Sequence, residues 1–288
     1  MKQAEITVEY LDHLGTDLTV VNAARTSFGK ESEWVYAYPP EDAEGNQLDH
    51  EPPKVLSQAD ANLIRFLATG FRTKDWDALL DEVISSKDKD ELTDILLHYK
   101  KSAQHWAPFA HPHMQIRMKL PIFLARQFVK HQIGGTWSEE SRRYMSSEPE
   151  FWFPKEWHDR PEDIKQGSDG AHPYQQRVTD AAMASTASSL CAYNDLLSAG
   201  VAPEEARIVL PLNTMTTVTW TGSLLFWSRV CNQRLDSHAQ KAANELAEQI
   251  AAIAQPLFPV SWAALVGEWF KALESERMKA DNKKKDPL

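Results

Sequence analysis

The stretch ARQFVKHQIGGTWSEESRRY, residues 125–144, decides how the rest of the chain is read. Its opening is helical in pattern, and the spacing predicts a helix from Ile122 to about His131. Pro121 suits the first turn of that helix, where its missing amide hydrogen is not needed. Gln127 and His131 stand four apart, as do Arg126 and Lys130, so each pair would share a helix face. Gly134 and Gly135 end the helix, because glycine readily adopts the positive dihedrals of a tight turn. Beyond the turn, Ser138, Glu139, Ser141 and Arg143 bring acceptors, hydroxyls and a forked cation into one short segment. Just upstream, Met114, Ile116 and Met118 alternate with Gln115, Arg117 and Lys119, the period-two pattern of a half-buried strand.

Outward from this block, the chain reads as one elaborated domain over residues 1–270 with a charged tail at 271–288. Its 288 residues and 42% hydrophobic content are enough to bury a substantial core. Ile6, Val8 and Tyr10 alternate with polar neighbours and predict a strand over 6–11. Residues 29–54 hold Pro39, Pro40, Pro52 and Pro53 among many charges and read as an exposed insertion without a catalytic role. Ser57 and Asp60 resemble a capping box ahead of Leu63, Ile64 and Leu67, which share one helix face. Residues 76–101 also look helical. A second irregular excursion is expected at 149–173, then a helix over 174–199 closed by Gly200 and followed by Pro203. A last amphipathic helix is predicted over 238–255, with Leu246, Ile250 and Ile253 on one face and Pro256 and Pro259 stopping it.

Composition also excludes function classes. A formal net charge of −10 argues against a nucleic-acid polymer as partner, since polyanion binding relies on clustered Lys and Arg. The basic run Lys283 to Lys285 reads as a solvated tail. No run of roughly 18 apolar residues suggests a membrane span, and the N-terminus reads as strand rather than leader, so a soluble, cytoplasmic protein is expected. Cys191 and Cys231 show no metal-ligand spacing and read as buried small hydrophobes. His105, His111 and His113 match no standard zinc spacing, so no metal is expected.

What remains is anion chemistry. An arginine fork pairs bidentately with phosphate, and the amides of a turn add donors. Residues 138–143 could therefore hold a nucleotide phosphate, or could equally form a self-neutralising exposed cluster. Arg207 and Arg234 are single cations in or beside apolar sequence, costly to bury without an anion. Their partner could be Glu204, Glu205 or Asp236, or a bound substrate. Asp236 and Ser237 could cap the helix that follows His238.

The block at 125–144 resembles the signature of the flavin-dependent thymidylate synthases, in which ARQ, a basic-His-basic triplet and an NExSxRY segment follow one another. AARTSF at 23–28, HWAPFAH at 105–111, PEEARIVLP at 203–211 and RLDSHAQ at 234–240 resemble that family in order and spacing. The resemblance implies an α+β fold with helices around an antiparallel or mixed sheet. It implies a homotetramer with active sites between subunits, and FAD, methylenetetrahydrofolate, NADPH and a deoxypyrimidine monophosphate as cofactor, co-substrates and substrate. It implies transfer of the folate one-carbon unit to the pyrimidine without an enzymic cysteine nucleophile.

Carried over by position, Gln127, Phe128, Val129, Lys130, Glu139, Glu140, Ser141, Arg142, Arg143 and Arg207 would meet the nucleotide. Ser141 and Arg143 match the phosphate-binding positions. Arg234 matches the arginine that favours ionisation of the pyrimidine ring and would be the catalytic cation. Ser27, His105, Lys130, His131, Gln132, Ile133, Glu139, Ser223, Arg229 and His238 match flavin-side positions. The sequence departs from the family where Lys130, His131 and Gln132 replace Arg-His-Arg, where Ser138 replaces Asn, and where Ser223, Leu225 and Arg229 replace polar flavin contacts. Ala107 and Ala110 likewise replace Thr and Glu. Three readings follow: thymidylate synthesis on dUMP, a divergent methylase or hydroxymethylase of dUMP or dCMP, and a nucleotide-binding relative without catalysis.

Overall fold

In the computed structural model, residues 1–41, 47–70, 73–85, 105–145, 147–160, 168, 170–235 and 239–266 are described. In chain order their elements are β1 (Lys2–Gln3), β2 (Thr7–Leu14), α1 (Asp17–Arg25), β3 (Val35–Tyr36), β4 (Lys54–Val55), α2 (Gln58–Thr69), α3 (Thr73–Ser85), β5 (His113–Pro121) and α4 (Ile122–Phe128). They continue with β6 (Gly135–Glu139), β7 (Glu150–Phe151), α5 (Gln175–Ser198), α6 (Pro203–Ala206), β8 (Met215–Ser223), α7 (Leu224–Arg234), α8 (Lys241–Leu257) and α9 (Pro259–Val266). The class is α+β. The contacts cluster into two compact units.

The first unit spans residues 1–13, 114–222 and 226–253. It is organised on a four-stranded sheet of order β2-β5-β8-β6, in which β6 and β8 are antiparallel with Gly135 opposite Gly222 and Glu139 opposite Val218. On β5 the predicted alternation holds, with Met114, Ile116, Met118 and Leu120 buried and Arg117 exposed. An edge-to-face aromatic group forms over β8, where the Trp220 ring lies 4.9 Å from both Trp137 and Phe226 and 5.1 Å from Trp227. The Trp227 indole donates to the Met114 carbonyl at 3.0 Å, so its buried N–H is satisfied. Helix α8 buries Ala243, Leu246, Ala247 and Ile250. Gln249 on the same helix accepts from the Val8 amide and donates to the Ile6 carbonyl, tying α8 to the amino-terminal strand. A smaller cluster of Phe151, Leu190, Tyr193 and Ala206 seats α5.

The second unit spans residues 14–113, 223–225 and 254–288. Ser57 caps α2, its hydroxyl accepting from the Asp60 amide at 3.1 Å, as the sequence predicts. Asp60 itself is buried and accepts from Arg25, Ser32 and Ser57. Asp17, also buried, accepts from the amides of Val260 and Ser261 at 2.8 and 2.9 Å and so caps α9 from across the sequence. Burial holds its carboxyl above the usual range, against the pull of those donors.

Several elements differ from expectation. Helix α4 ends at Phe128 rather than His131, because the chain tightens into a turn in which the His131 amide bonds to the Phe128 carbonyl at 3.0 Å. Lys130 and His131 therefore lie on the turn and not on a shared helix face. Pro121 closes β5 and caps α4 instead of occupying its first turn. Residues 135–139, read as a polar stretch, form a strand. The 17–25 helix and β8 went unread.

Pro256 lies inside α8 rather than stopping it, and Pro259 opens α9. The 29–54 insertion carries the short β3–β4 hairpin. Cys231 is buried as expected, and burial pushes its thiol up, but Cys191 is exposed on the outer face of α5. The second half of the predicted 76–101 helix, His238, the Asp236–Ser237 pair and the 271–288 tail lie outside the described residues. Among the described residues no helix is long and apolar enough to cross a membrane, and no group of three His, Cys, Asp or Glu side chains could hold a metal.

Candidate functional site

The turn after α4 exists because Gly134 takes a positive φ of 89° and Gly135 lets the chain enter β6 against Phe226. A Cβ on Gly135 would stand 2.6 Å from the Phe226 ring, and one on its partner Gly222 would stand 2.1 Å away. The ring is thus seated on a paired glycine window. That seat fixes where the turn hands the chain to the sheet, and with it the positions of residues 130–133.

On this turn, the His131 Nε2 lies 3.3 Å from the Arg234 Nη2. The Arg234 guanidinium lies over the Phe128 ring, 5.6 Å from its centroid, a cation–π arrangement. The carbonyl of Arg234 accepts from the Asn244 side chain at 3.2 Å, and the next amide closes on Cys231, which fixes the end of α7. Burial lowers the Arg234 pKa from its ordinary value, and burial together with the Arg234 charge lowers that of His131. Two polar atoms here are buried without partners among the described residues: Arg234 Nε, a donor, and Gln127 Oε1, an acceptor. A buried donor and acceptor left unsatisfied cost stability unless something arrives to pair them.

Beyond β6 the polar segment is organised by the sheet. Glu139 receives a hydrogen bond on each carboxylate oxygen, from the Trp137 indole at 3.2 Å and the Thr216 hydroxyl at 3.1 Å. The Glu140 amide bonds to the Thr217 carbonyl. Arg143 is exposed, its Nε donating to the Ser141 hydroxyl at 3.2 Å, and its guanidinium lies 5.1 Å from the Tyr144 ring centroid. Arg142 donates to the Ser147 carbonyl while its Nε stays buried, with no partner among the described residues. Among the described residues, the arginines of this segment bond to hydroxyl and carbonyl oxygens.

The structure brings Phe128, His131 and Arg234 into direct contact, and joins Ser141 with Arg143. Phe128 is fully buried, behind the guanidinium. Val129 caps α4 and its amide bonds to Ala125. Arg207 is exposed and its Nε donates to the Glu204 carbonyl; among the described residues the partner found is this backbone oxygen, and Asp236 lies outside them. Ser223 is buried, whereas Arg229, Lys130 and Gln132 are exposed. Ser27 and His105 belong to the second unit, both exposed, with His105 packed 5.4 Å from the Phe66 ring. The sequence reading missed Trp137, Thr216 and Phe226. For Trp137 a signal existed, since it stands two residues before Glu139, on the same strand face.

The donor set of the first unit suits a flavin. It offers the exposed cations Lys130 and Arg229 for phosphates, an uncharged imidazole at His131, and Ile133, 82% exposed, as an apolar surface.

Comparison with known proteins gives a concordant result. The model of the family described as "Thymidylate synthase complementing protein" matches residues 9–260. A flavin-dependent thymidylate synthase of Thermosipho africanus is 34% identical over 173 residues, covering 59% of this chain and 75% of that protein. One from Streptomyces avermitilis is 32% identical over 202 residues, covering 67% and 74%. Among solved structures, a UMP/dUMP methylase, PolB, from Streptomyces cacaoi bound with 5-Br dUMP is 24% identical, with a TM-score of 0.64 over 92% of this chain and 96% of that one, which speaks to the fold. The chain belongs to the thymidylate synthase complementing protein family, the flavin-dependent thymidylate synthases, and is an enzyme of their methyltransferase class.

Proposed function

We propose that this chain transfers the one-carbon unit of methylenetetrahydrofolate to the 5-carbon of dUMP, with FAD bound and NADPH as reductant, giving thymidylate. The observation that carries this reading is the half-buried Arg234, whose Nε has no partner among the described residues and whose other edge is already held. A fixed cation in that state favours negative charge on a group placed against it, and a pyrimidine ring ionised at nitrogen supplies such charge while making its 5-carbon nucleophilic. Before that ionisation, Gln127 Oε1 offers an acceptor to the ring N–H. Ser141, Arg142 and Arg143 hold the phosphate, with Arg143 giving the bidentate fork, and Arg207 adds a further cation.

Glu139, braced by Trp137 and Thr216, serves as a placed acceptor for the nucleotide or for the flavin. A bound flavin would supply hydride, and Lys130, His131, Gln132, Ile133 and Arg229 of the first unit would hold it, while Ser27, His105, Ser223 and His238 match flavin positions by sequence alone. The protein works in the cytoplasm as a homotetramer. In this account the chain's residues bind, orient and polarise, and neither cysteine takes part: Cys231 is buried with its thiol pushed up, and Cys191 lies on α5.

The test is an anaerobic incubation of flavin-supplemented protein with dUMP or dCMP, methylenetetrahydrofolate and NADPH, reading the nucleotide by mass. A methyl gain on dUMP is expected. A hydroxymethyl gain, or modification of dCMP, would transfer the chain to the divergent enzymes, and absence of both product and flavin would leave only nucleotide binding.

A further inference from the structure

We infer that His131 is a positioning residue for Arg234: its uncharged imidazole accepts a hydrogen bond from the guanidinium and holds the free Nε edge toward the nucleotide base. The inference rests on the reading of Arg234 as the cation beside the pyrimidine. It starts from donor counting. A guanidinium carries donors and no acceptor, so the 3.3 Å approach of Arg234 Nη2 to His131 Nε2 is a hydrogen bond only when that nitrogen carries a lone pair. A protonated His131 would set two cations against each other at the same distance.

Three contacts make the geometry a tripod. The Phe128 ring lies beneath the guanidinium at 5.6 Å, and the Phe128 and His131 ring centroids are 6.4 Å apart. The bond from the His131 amide to the Phe128 carbonyl locks the imidazole and the ring to one turn of chain. Asn244 holds the Arg234 backbone from α8. With one face on an aromatic ring and one amino group on an imidazole, the guanidinium keeps its buried Nε as the edge left for a ligand.

The charges around His131 favour this state. Burial and the Arg234 charge both lower its pKa, and Arg234 is the charged group acting on it among the described residues. Lys130 precedes it in the chain and is exposed, and Gln132, which follows it, is uncharged. The imidazole is thus neutral at neutral pH. It becomes a cation only as the pH falls below its ordinary value, and the grip on Arg234 fails in that window.

The test uses flavin-supplemented full-length protein and its His131→Gln and His131→Ala variants, with dUMP affinity measured by calorimetry from pH 5 to 8.5. Glutamine keeps an acceptor for Arg234 that does not titrate. The nucleotide phosphate itself titrates near pH 6, so the quantity read is the ratio of wild-type to His131→Gln affinity, in which the phosphate cancels. The ratio is expected to be constant above pH 7 and to fall by about tenfold toward pH 5. The alanine variant is expected to bind about tenfold more weakly at neutral pH, with flavin absorbance of the same samples showing that the loss is not loss of flavin.

A ratio independent of pH, or a glutamine variant no better than alanine, overturns the assignment. Wild-type protein that binds no dUMP at pH 8 overturns the nucleotide reading instead. A ligand-free measurement separates the two. The His131 imidazole titration followed by NMR must move to higher pH in Arg234→Gln, and an unmoved midpoint removes the contact whatever the protein binds.

Discussion

Substituting Gly222 by alanine would place a methyl group 2.1 Å from Cδ1 of Phe226, where non-bonded carbons rest at about 3.5–4.0 Å. The ring has no room to retreat toward β6, because Gly135, the register partner of Gly222, lies against its far edge, where an ideal Cβ would stand 2.6 Å from Cζ. Phe226 is buried and its ring packs edge-to-face on Trp220 and Trp227, so displacement disturbs the whole aromatic group. Overpacking of this kind costs about 1–3 kcal/mol, and Phe226→Ala alone costs about 3–5 kcal/mol from lost burial and the cavity left behind. If the two effects were independent, the double variant would lose about 4–8 kcal/mol, a large share of a typical domain's stability. Because the methyl enters the space the ring vacates, the double variant should cost no more than Phe226→Ala. The double-mutant cycle should therefore show a coupling of about 1–3 kcal/mol. Urea unfolding of the four proteins at one protein concentration, with unchanged m-values, measures it. An undiminished cost of Gly222→Ala in the Phe226→Ala background would show that the ring is not what the glycine accommodates.

Other perturbations address the chemistry. Arg234→Ala should lower kcat/KM by about 10²–10³, the cost of removing one fixed donor from developing charge; wild-type turnover would dismiss it as the catalytic cation. Arg143→Ala should weaken dUMP binding by about 10- to 100-fold with a smaller effect on kcat, and equal affinity by calorimetry would place the phosphate elsewhere. Thr216→Val removes a donor from Glu139 and should reduce kcat/KM about fivefold, an effect that should vanish in a Glu139→Gln background if it acts through that carboxylate. For Asp17, whose pKa is raised by burial, the stabilising contribution is full below the ordinary value of 3.8 and is lost as pH rises through the folded-state value. Urea midpoints of wild type relative to Asp17→Asn should therefore decline on going from pH 4 toward neutrality, and a rising difference would reverse the assignment.

The signature block was legible because its chemistry is local. Alternation on β5, the Ser57 cap and the glycine turn each follow from residues a few positions apart, and all three are found. What escaped was set by distant partners. Residues 135–139 look like loop because Thr136, Ser138 and Glu139 are polar, yet their backbone pairs with β8 some eighty residues later, and that pairing overrides their composition. Strand β8 was missed for a related reason: its threonines blur the alternation, although Met215, Val218 and Trp220 are buried. The end of α4 depends on a turn hydrogen bond that no periodicity reports. Within the site, arginines were readable as anion-seeking, but their neighbours were not. That His131 rather than a carboxylate meets Arg234 depends on the fold bringing together residues 103 positions apart.

The caps and clasps that complete each unit have a consequence for how the protein is made. Asp17 waits for the amides of Val260 and Ser261, 243 and 244 residues downstream, and the Gln249 side chain reaches back 243 residues to Ile6 and 241 to Val8. At about 5–20 residues per second of synthesis, the amino-terminal segments leave the ribosome roughly ten to fifty seconds before the residues that close them. Through that interval Asp17, Val20 and Val21 have no finished core to enter. The decisive closures are then post-translational, and their long sequence separation slows folding.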